Sequence, residues 1–373
     1  MGKRANGEGT IYRRTDGRWV GSVVLDRGRR KSFYGKTRRE VATKLATALK
    51  ARQDGLPIPS ERHTVERFLR QWLEGKTSSV RPTTWARYES LIRKHLAPEI
   101  GRIALARLTP DRLQRLWSEK QAAGLSPASV RQMRALLRKA LNDAERWGAV
   151  PRNVAALTSP PQVERREMLV LSPGEVRKLL DTAAEDRFEA LYVLAVSTGL
   201  RQGELLALRW RDVDLDAPTL QVRQTLHRTQ GEFTFSPPKT SKSRRLVVLT
   251  AAATAALYRR AVRQADERQR VGAVWQDGGL IFTNEIGGPV DAGNLRRRSF
   301  WPLLERAGLP RIRFHDLRHT AATLMLGRGI HPKIVSEMLG HSQIGITLDL
   351  YSHVTPTMQR DAADEMDRVL AGS

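Results

Sequence analysis

Two proline-rich breaks, GLPIPS at 55–60 and VPRNVAALTSPPQVERRE at 150–167, constrain this chain most. Proline fixes φ and removes a backbone donor, so neither a helix nor a central strand runs through such a stretch. The 373 residues are therefore read as three domains, at 1–57, 62–150 and 165–373. Charge is spread unevenly over them. Residues 1–60 carry 15 basic and 5 acidic side chains, residues 61–160 carry 19 and 9, and the remaining 213 hold 30 and 25. Of the net +25, the first two stretches supply +10 each and the last only +5. This implies a polyanionic partner gripped by the first 160 residues, and another task for the rest.

Other classes fall away on composition. With 40% hydrophobic and 28% charged residues the chain reads as soluble and globular. No apolar run reaches a membrane span and no signal-peptide core follows the basic N-terminus, so the cytoplasm is the expected compartment. Cysteine is absent, which excludes disulfides, thiol nucleophiles and thiolate metal sites and leaves oxygen or nitrogen as any nucleophile.

Residue patterns predict a fold for each piece. EGTIYRRTDGRWVGSVVL reads as two strands turning at Asp16-Gly17, a third strand follows at Lys31–Tyr34, and Thr37 with Glu40 forms a capping box for a helix to about Gln53. Arg13, Arg14, Arg18, Arg29, Arg30 and Lys31 lie on or beside these strands, either to enter a major groove or to form a solvated basic face. Trp19 and Phe33 are read as core. The second piece predicts helices at Thr64–Leu73, Thr83–Leu96, Pro110–Ala123 and Pro127–Trp147, with Trp72, Trp85 and Trp117 in their core. On the last of these helices Val130, Met133, Leu137, Ala140, Leu141 and Ala144 form one side, with Arg131, Arg134, Arg138 and Lys139 around the rest. The third piece opens on a capping box, Ser172 to Glu175. An apolar helix Glu189–Ser197 follows, then a helix RQGELLALRW opened by Arg201, strand chemistry over 219–249, and helices Thr250–Gln269 and Asn294–Ala307. The class is multidomain α+β, mainly α. It comprises a three-stranded sheet with one helix, a four-helix module, and a mixed, mainly helical domain with a small antiparallel sheet.

The chemistry concentrates in residues 311–354. Asp316–Gly327 reads as a helix with His315 and Arg318 on one face of its first turn. Lys333–Leu339 reads as a second helix stopped by Gly340, His341 follows at once, and Tyr351 comes ten residues later. Singly these residues say little, since H-x-x-R occurs by chance in so basic a chain and a lone tyrosine usually packs in a core. As a set, two cations, two imidazoles and a phenol suit a phosphate attacked by an oxygen nucleophile.

Arg201 in STGLRQGELLALRW, Lys239 in PPKTSKSRR, His315 and Arg318 in HDLRHT, His341 in LGHSQIGITLDLY and Tyr351 itself resemble, in type and order, the signature of the tyrosine recombinase family of phage-integrase type. The N-terminal sheet and helix resemble the arm-type DNA-binding domain of integrases, and the four-helix module resembles their SAM-like core-binding domain. The resemblance covers nearly the whole chain and is most specific in its last third. It implies a site-specific recombinase of a phage or mobile element that cuts and rejoins double-stranded attachment sites through a 3′-phosphotyrosine and a Holliday junction. It further implies a tetramer joined by C-terminal tails, an excisionase or host DNA-bending protein as helper, and a place at the bacterial nucleoid.

The roles follow from charge. Attack on a phosphodiester builds negative charge on its nonbridging oxygens, which the guanidinium groups of Arg201 and Arg318 match bidentately. A phenol with an ordinary pKa near 10 needs a base or a cationic site to act as nucleophile. The family resemblance makes His315 that base and His341 a phosphate donor or second proton shuttle; which imidazole is the base stays open. Lys239 would protonate the leaving 5′ oxygen. Glu204, one turn beyond Arg201, either orients the site or lies at the surface. No nucleotide cofactor is expected, because a phosphotyrosyl link conserves the bond energy. No metal is expected either, because Arg318 sits between His315 and His319 and its charge opposes a cation. A type IB topoisomerase and a noncatalytic DNA-binding regulator are the rival readings; the two-module N-terminal grip favours the recombinase over the first, and six intact signature residues over the second.

Overall fold

The computed structural model describes residues 9–24, 30–53, 63–164, 168–229, 231–238 and 243–340, together with positions 345, 348, 363, 366–368, 370 and 371. The chain divides into two compact units, Met1–Arg165 and Arg166–Ser373. Among the described residues no helix is long and apolar enough to cross a membrane.

In the first unit β1 (Thr10–Arg13), β2 (Trp19–Val24) and β3 (Arg30–Gly35) form an antiparallel meander in that order. Asp16 sets the first turn by accepting the Arg18 amide at 3.1 Å. Helix α1 (Arg38–Gln53) covers one face, with Val41 seated over Gly21 and Gly35. Register puts Ile11, Trp19, Gly21, Val23, Lys31 and Phe33 on that face, and Trp19 and Phe33 are half-buried there. The capping box is half formed. The Thr37 hydroxyl accepts the Glu40 amide at 3.2 Å, while the Glu40 carboxylate reaches one residue further back, to the Lys36 amide at 2.9 Å.

The helical module contains α2 (Val65–Glu74), α3 (Pro82–Leu91), α4 (Ala97–Ile100), α5 (Pro110–Ala122) and α6 (Pro127–Arg146). A single π turn, Ile92–Leu96, joins α3 to α4, so the helix expected to end at Leu96 runs on to Ile100. Pro98 explains that turn, because a wider turn makes room for a ring that cannot donate a hydrogen bond. Phe68, Trp72, Leu113, Trp117, Met133 and Leu137 are fully enclosed, each contributing roughly 1.5–3 kcal/mol of burial. Both buried indoles find acceptors, Trp72 on Asp143 at 2.7 Å and Trp117 on Thr158 at 3.3 Å, and half-buried Trp85 donates to the Leu73 carbonyl at 3.1 Å. The opening residues of the second proline-rich stretch belong to this module. Val150 and Ala155 are buried in its core, and the Asn153 amide donates to the Arg138 carbonyl at 2.8 Å.

The second unit is built around α8 (Glu189–Thr198), buried on nearly every side. Its capping-box neighbour α7 (Pro173–Thr182) precedes it, and α9 (Gln202–Leu205) follows. The helix expected over RQGELLALRW stops at Leu206 because the backbone is needed elsewhere: Ile281 donates to the Leu208 carbonyl at 2.9 Å and Trp210 to the Gly279 carbonyl at 3.0 Å. TLQVRQTLH likewise divides. β4 (Val213–Asp214), β5 (Thr219–Val222) and β8 (Arg245–Val248) make one antiparallel sheet, while β6 (Thr225–Thr229) and β7 (Glu232–Ser236) make a separate hairpin. Helix α10 (Ala251–Val271) packs on α8. α11 (Ala292–Leu295) and α12 (Trp301–Arg306) are joined by a second π turn, Arg296–Phe300, again just ahead of a proline, Pro302. α13 (Asp316–Gly327) lies against α8 and carries α14 (Pro332–Leu339).

Candidate active site

Gly199 ends α8 in the left-handed region at φ 62°, and its carbonyl accepts a hydrogen bond from Arg318 Nη1 at 2.8 Å. A Cβ there would stand 2.2 Å from Leu339 Cδ2, so only glycine lets α14 close on this corner. Gly203 allows a similar approach on α9, where a Cβ would meet Thr225 Oγ1 at 2.7 Å and the Leu226 carbonyl at 2.9 Å. These two close approaches bring α8, α9, α13, α14 and the β6–β7 hairpin around one point.

Arg201, Glu204, His315 and Arg318 meet there, as the sequence predicts. Arg201 Nη1 donates to Glu204 Oε1 at 2.7 Å, its amide donates to Glu204 Oε2 at 3.1 Å, and its Nη2 donates to the Gly340 carbonyl at 3.2 Å. Glu204 is only 3% exposed, so the surface reading fails and the orienting one fits. Burial alone would raise its carboxyl, but the charges of Arg245 and Arg201 and the hydrogen bonds from Arg201 outweigh that and hold it below its ordinary value.

Arg318 is 3% exposed, and its Nη2 has no hydrogen-bond partner among the described residues. Burial and the neighbouring charge of Arg201 push the guanidinium down to about 9, so it is still a cation at neutral pH. His315 precedes α13, is exposed, and sets its ring edge-on to His319, centroids 5.0 Å apart. Desolvation, then the charges of His319, Arg318 and Arg201, push the His315 imidazole down to about 4. It is therefore neutral through the physiological range and able to accept a proton. The cluster offers an unpaired donor on a buried cation, a second cation beside it and a neutral base, an arrangement that fits a phosphate oxygen and a proton in transit. Lys239, His341 and Tyr351 lie outside the described residues, as does Arg29.

The profile of the phage integrase family matches residues 170–358, and that of the N-terminal SAM-like domain of phage integrases matches residues 64–121. The chain belongs to the phage integrase family. It is similar to the tyrosine recombinase XerC-like protein of Caldanaerobacter subterraneus, 30% identical over 91% of each chain. In fold it is similar to the Tn1549 transposon integrase in complex with a circular intermediate DNA, with a TM-score of 0.69 at 20% identity over 82% of this chain and 99% of that one. It is also similar to a lambda integrase tetramer bound to a Holliday junction, with a TM-score of 0.58 at 20% identity over 93% and 96%. The chain is thus an integrase, a tyrosine-type enzyme of site-specific DNA recombination.

Not every basic residue expected on the integrase's DNA-facing surface is exposed. Arg13, Arg14, Arg18 and Arg30 are exposed on the N-terminal sheet, and Arg131, Arg138 and Lys139 on α6. Lys31 instead points to the face covered by α1, half-buried over the Phe33 ring at 5.9 Å, because strand alternation pairs it with Val23. Arg134 corrects the expectation for α6. Its Nε donates to Thr158 Oγ1 at 2.9 Å and its Nη2 to the Thr158 carbonyl at 2.5 Å, so it fastens the residues after α6 and is committed to structure. Sequence reasoning also missed Arg245, a buried partner of Glu204. The available signal was its place on β8, where alternation puts Arg245 and Val247 inward and leaves Leu246 and Val248 outward.

Proposed function

We propose that this integrase cuts and rejoins double-stranded attachment sites of a mobile element through a 3′-phosphotyrosyl link to Tyr351. The buried Arg318 carries this reading, because a desolvated guanidinium whose Nη2 has no partner among the described residues, with Arg201 beside it, suits an anion in front of it. In this scheme Arg201 and Arg318 hold the nonbridging oxygens as charge builds, His315 takes the phenol proton, His341 donates to the phosphate, and Lys239 protonates the leaving 5′ oxygen. Residues 1–57 serve as an arm-type DNA-binding domain, 62–150 as the core-binding domain and 165–373 as the catalytic domain. An excisionase or a host DNA-bending protein fits the same scheme as a helper, and the bacterial nucleoid as the place of action. Incubation with core-site DNA and a denaturing gel tests the reading: a covalent protein–DNA adduct is expected, and a noncatalytic regulator would give none.

Lys239→Ala should slow adduct formation by about 10² to 10⁴, the range for a positioned general acid. A substrate with a bridging 5′ sulfur leaves without a proton and should recover much of that loss. Unchanged slowness on the sulfur substrate would assign Lys239 to binding.

Four phosphates are cut when two duplexes exchange both strands, and a head-to-tail contact that closes into a ring supplies four sites. The tail following Tyr351, with Met358, Ala362, Ala363, Met366, Val369 and Leu370 at helical spacing, is proposed as that contact. Deleting residues 357–373 should spare binding to a single site and abolish the assembly seen by sedimentation with paired site DNAs. A normal assembly from the deletion variant would rule the tail out.

A further inference from the structure

The last turn of α14 is gripped at three consecutive residues. Arg245 Nε donates to the Met338 carbonyl at 2.5 Å, Leu339 fills the space above Gly199, and Arg201 Nη2 donates to the Gly340 carbonyl at 3.2 Å. Helix C-termini leave their final carbonyls unpaired, and here two arginines take two of them. Arg245 is tied down on its other sides, through Nη2 to Glu204 Oε2 at 3.1 Å and through Nη1 to the Ser243 carbonyl at 3.2 Å. Glu204 passes the constraint to Arg201 by accepting from both its side chain and its amide. One buried guanidinium thus fixes where Arg201 sits relative to the end of α14.

We propose that Arg245 is a positioning residue of the integrase, which acts on the scissile phosphate through Glu204 and Arg201 without touching DNA. It shares the Glu204 carboxylate with Arg201, and its Nε, Nη1 and Nη2 each have an acceptor within the protein, whereas Nη2 of Arg318 has no partner among the described residues. Its effect must therefore pass through the orientation of Arg201. A shift of the order of 1 Å in such a group is worth about 10² in rate. The inference rests on the phosphotyrosyl reading above.

The test compares Arg245→Met, of similar length without charge, and Arg245→Lys, which keeps the charge but not the fork. Adduct formation is timed on a core-site duplex and on the same duplex with a methylphosphonate at the scissile position. The methyl group replaces a nonbridging oxygen and removes the charge that Arg201 answers. Arg245→Met is expected to be about 10²-fold slow on the ordinary phosphate. Its deficit should shrink on the methylphosphonate by the same factor as that of Arg201→Ala, with Arg245→Lys between wild type and Arg245→Met. Adding Arg245→Met to Arg201→Ala should cause little further loss, because the group it positions is already gone. Equal deficits on both substrates, or loss of core-site binding and melting temperature in both Arg245 variants alongside the rate, would make Arg245 a structural residue and overturn the proposal. A wild-type protein that forms no adduct would instead strike the underlying phosphotyrosyl reading, so the two failures are distinguishable.

Discussion

Tyr351→Phe is expected to bind core-site DNA as the wild-type integrase does and to form no covalent adduct at all. The substitution removes one oxygen, leaving the basic surfaces and the arginine cluster untouched, so binding and chemistry should separate cleanly. Two other tyrosines of the second unit bear on the assignment. Tyr192 is fully buried and its hydroxyl lies 2.5 Å from Ser299 Oγ. Burial keeps the Tyr192 oxygen out of reach of a DNA strand and also raises its pKa above the ordinary phenol value, both of which argue against it as the nucleophile. Tyr258 is 50% exposed on α10 and stands as the internal control. Peptide mapping of the wild-type adduct should place the nucleotide on Tyr351, and an adduct surviving Tyr351→Phe with the nucleotide on Tyr258 would move the nucleophile.

Local signals made most of the architecture legible. Proline after a capping Ser or Thr marked the starts of α5, α6 and α7, and glycine marked the ends of α8 and α14. The errors occur where distant segments compete for the same backbone. Nothing within RQGELLALRW announces that Leu208 and Trp210 must pair with Ile281 and Gly279. Arg134 looked like its neighbours on α6 because its acceptor, Thr158, lies 24 residues away. The site divides in the same way. The residue types at Arg201, His315 and Arg318 could be read from motif and spacing, whereas the burial of Glu204 and the role of Arg245 depend on β8, α9 and α14 meeting in space.

Arg318→Met should lose activity without losing stability. The wild-type fold carries a desolvated guanidinium whose Nη2 has no partner among the described residues, so some of the stability of the fold is given up to hold a cation ready. Methionine fills much of the same volume without that charge. It gives up the hydrogen bond to the Gly199 carbonyl, a loss of about 1–3 kcal/mol that the relief of desolvation offsets, and the melting temperature should stay level or rise. Catalysis should fall by about 10² to 10³, the loss typical of one donor aimed at developing charge. Inorganic phosphate separates this explanation from a simple packing effect. An anion that binds only the folded cluster stabilises it by about 2.7 kcal/mol at a hundredfold excess over its Kd, so phosphate should raise the melting temperature of the wild-type protein and leave Arg318→Met nearly unmoved. Equal stabilisation of both proteins by phosphate, or cleavage by Arg318→Met within tenfold of wild type, would mean that the anion belongs elsewhere and that Arg318 is a structural arginine bound to Gly199.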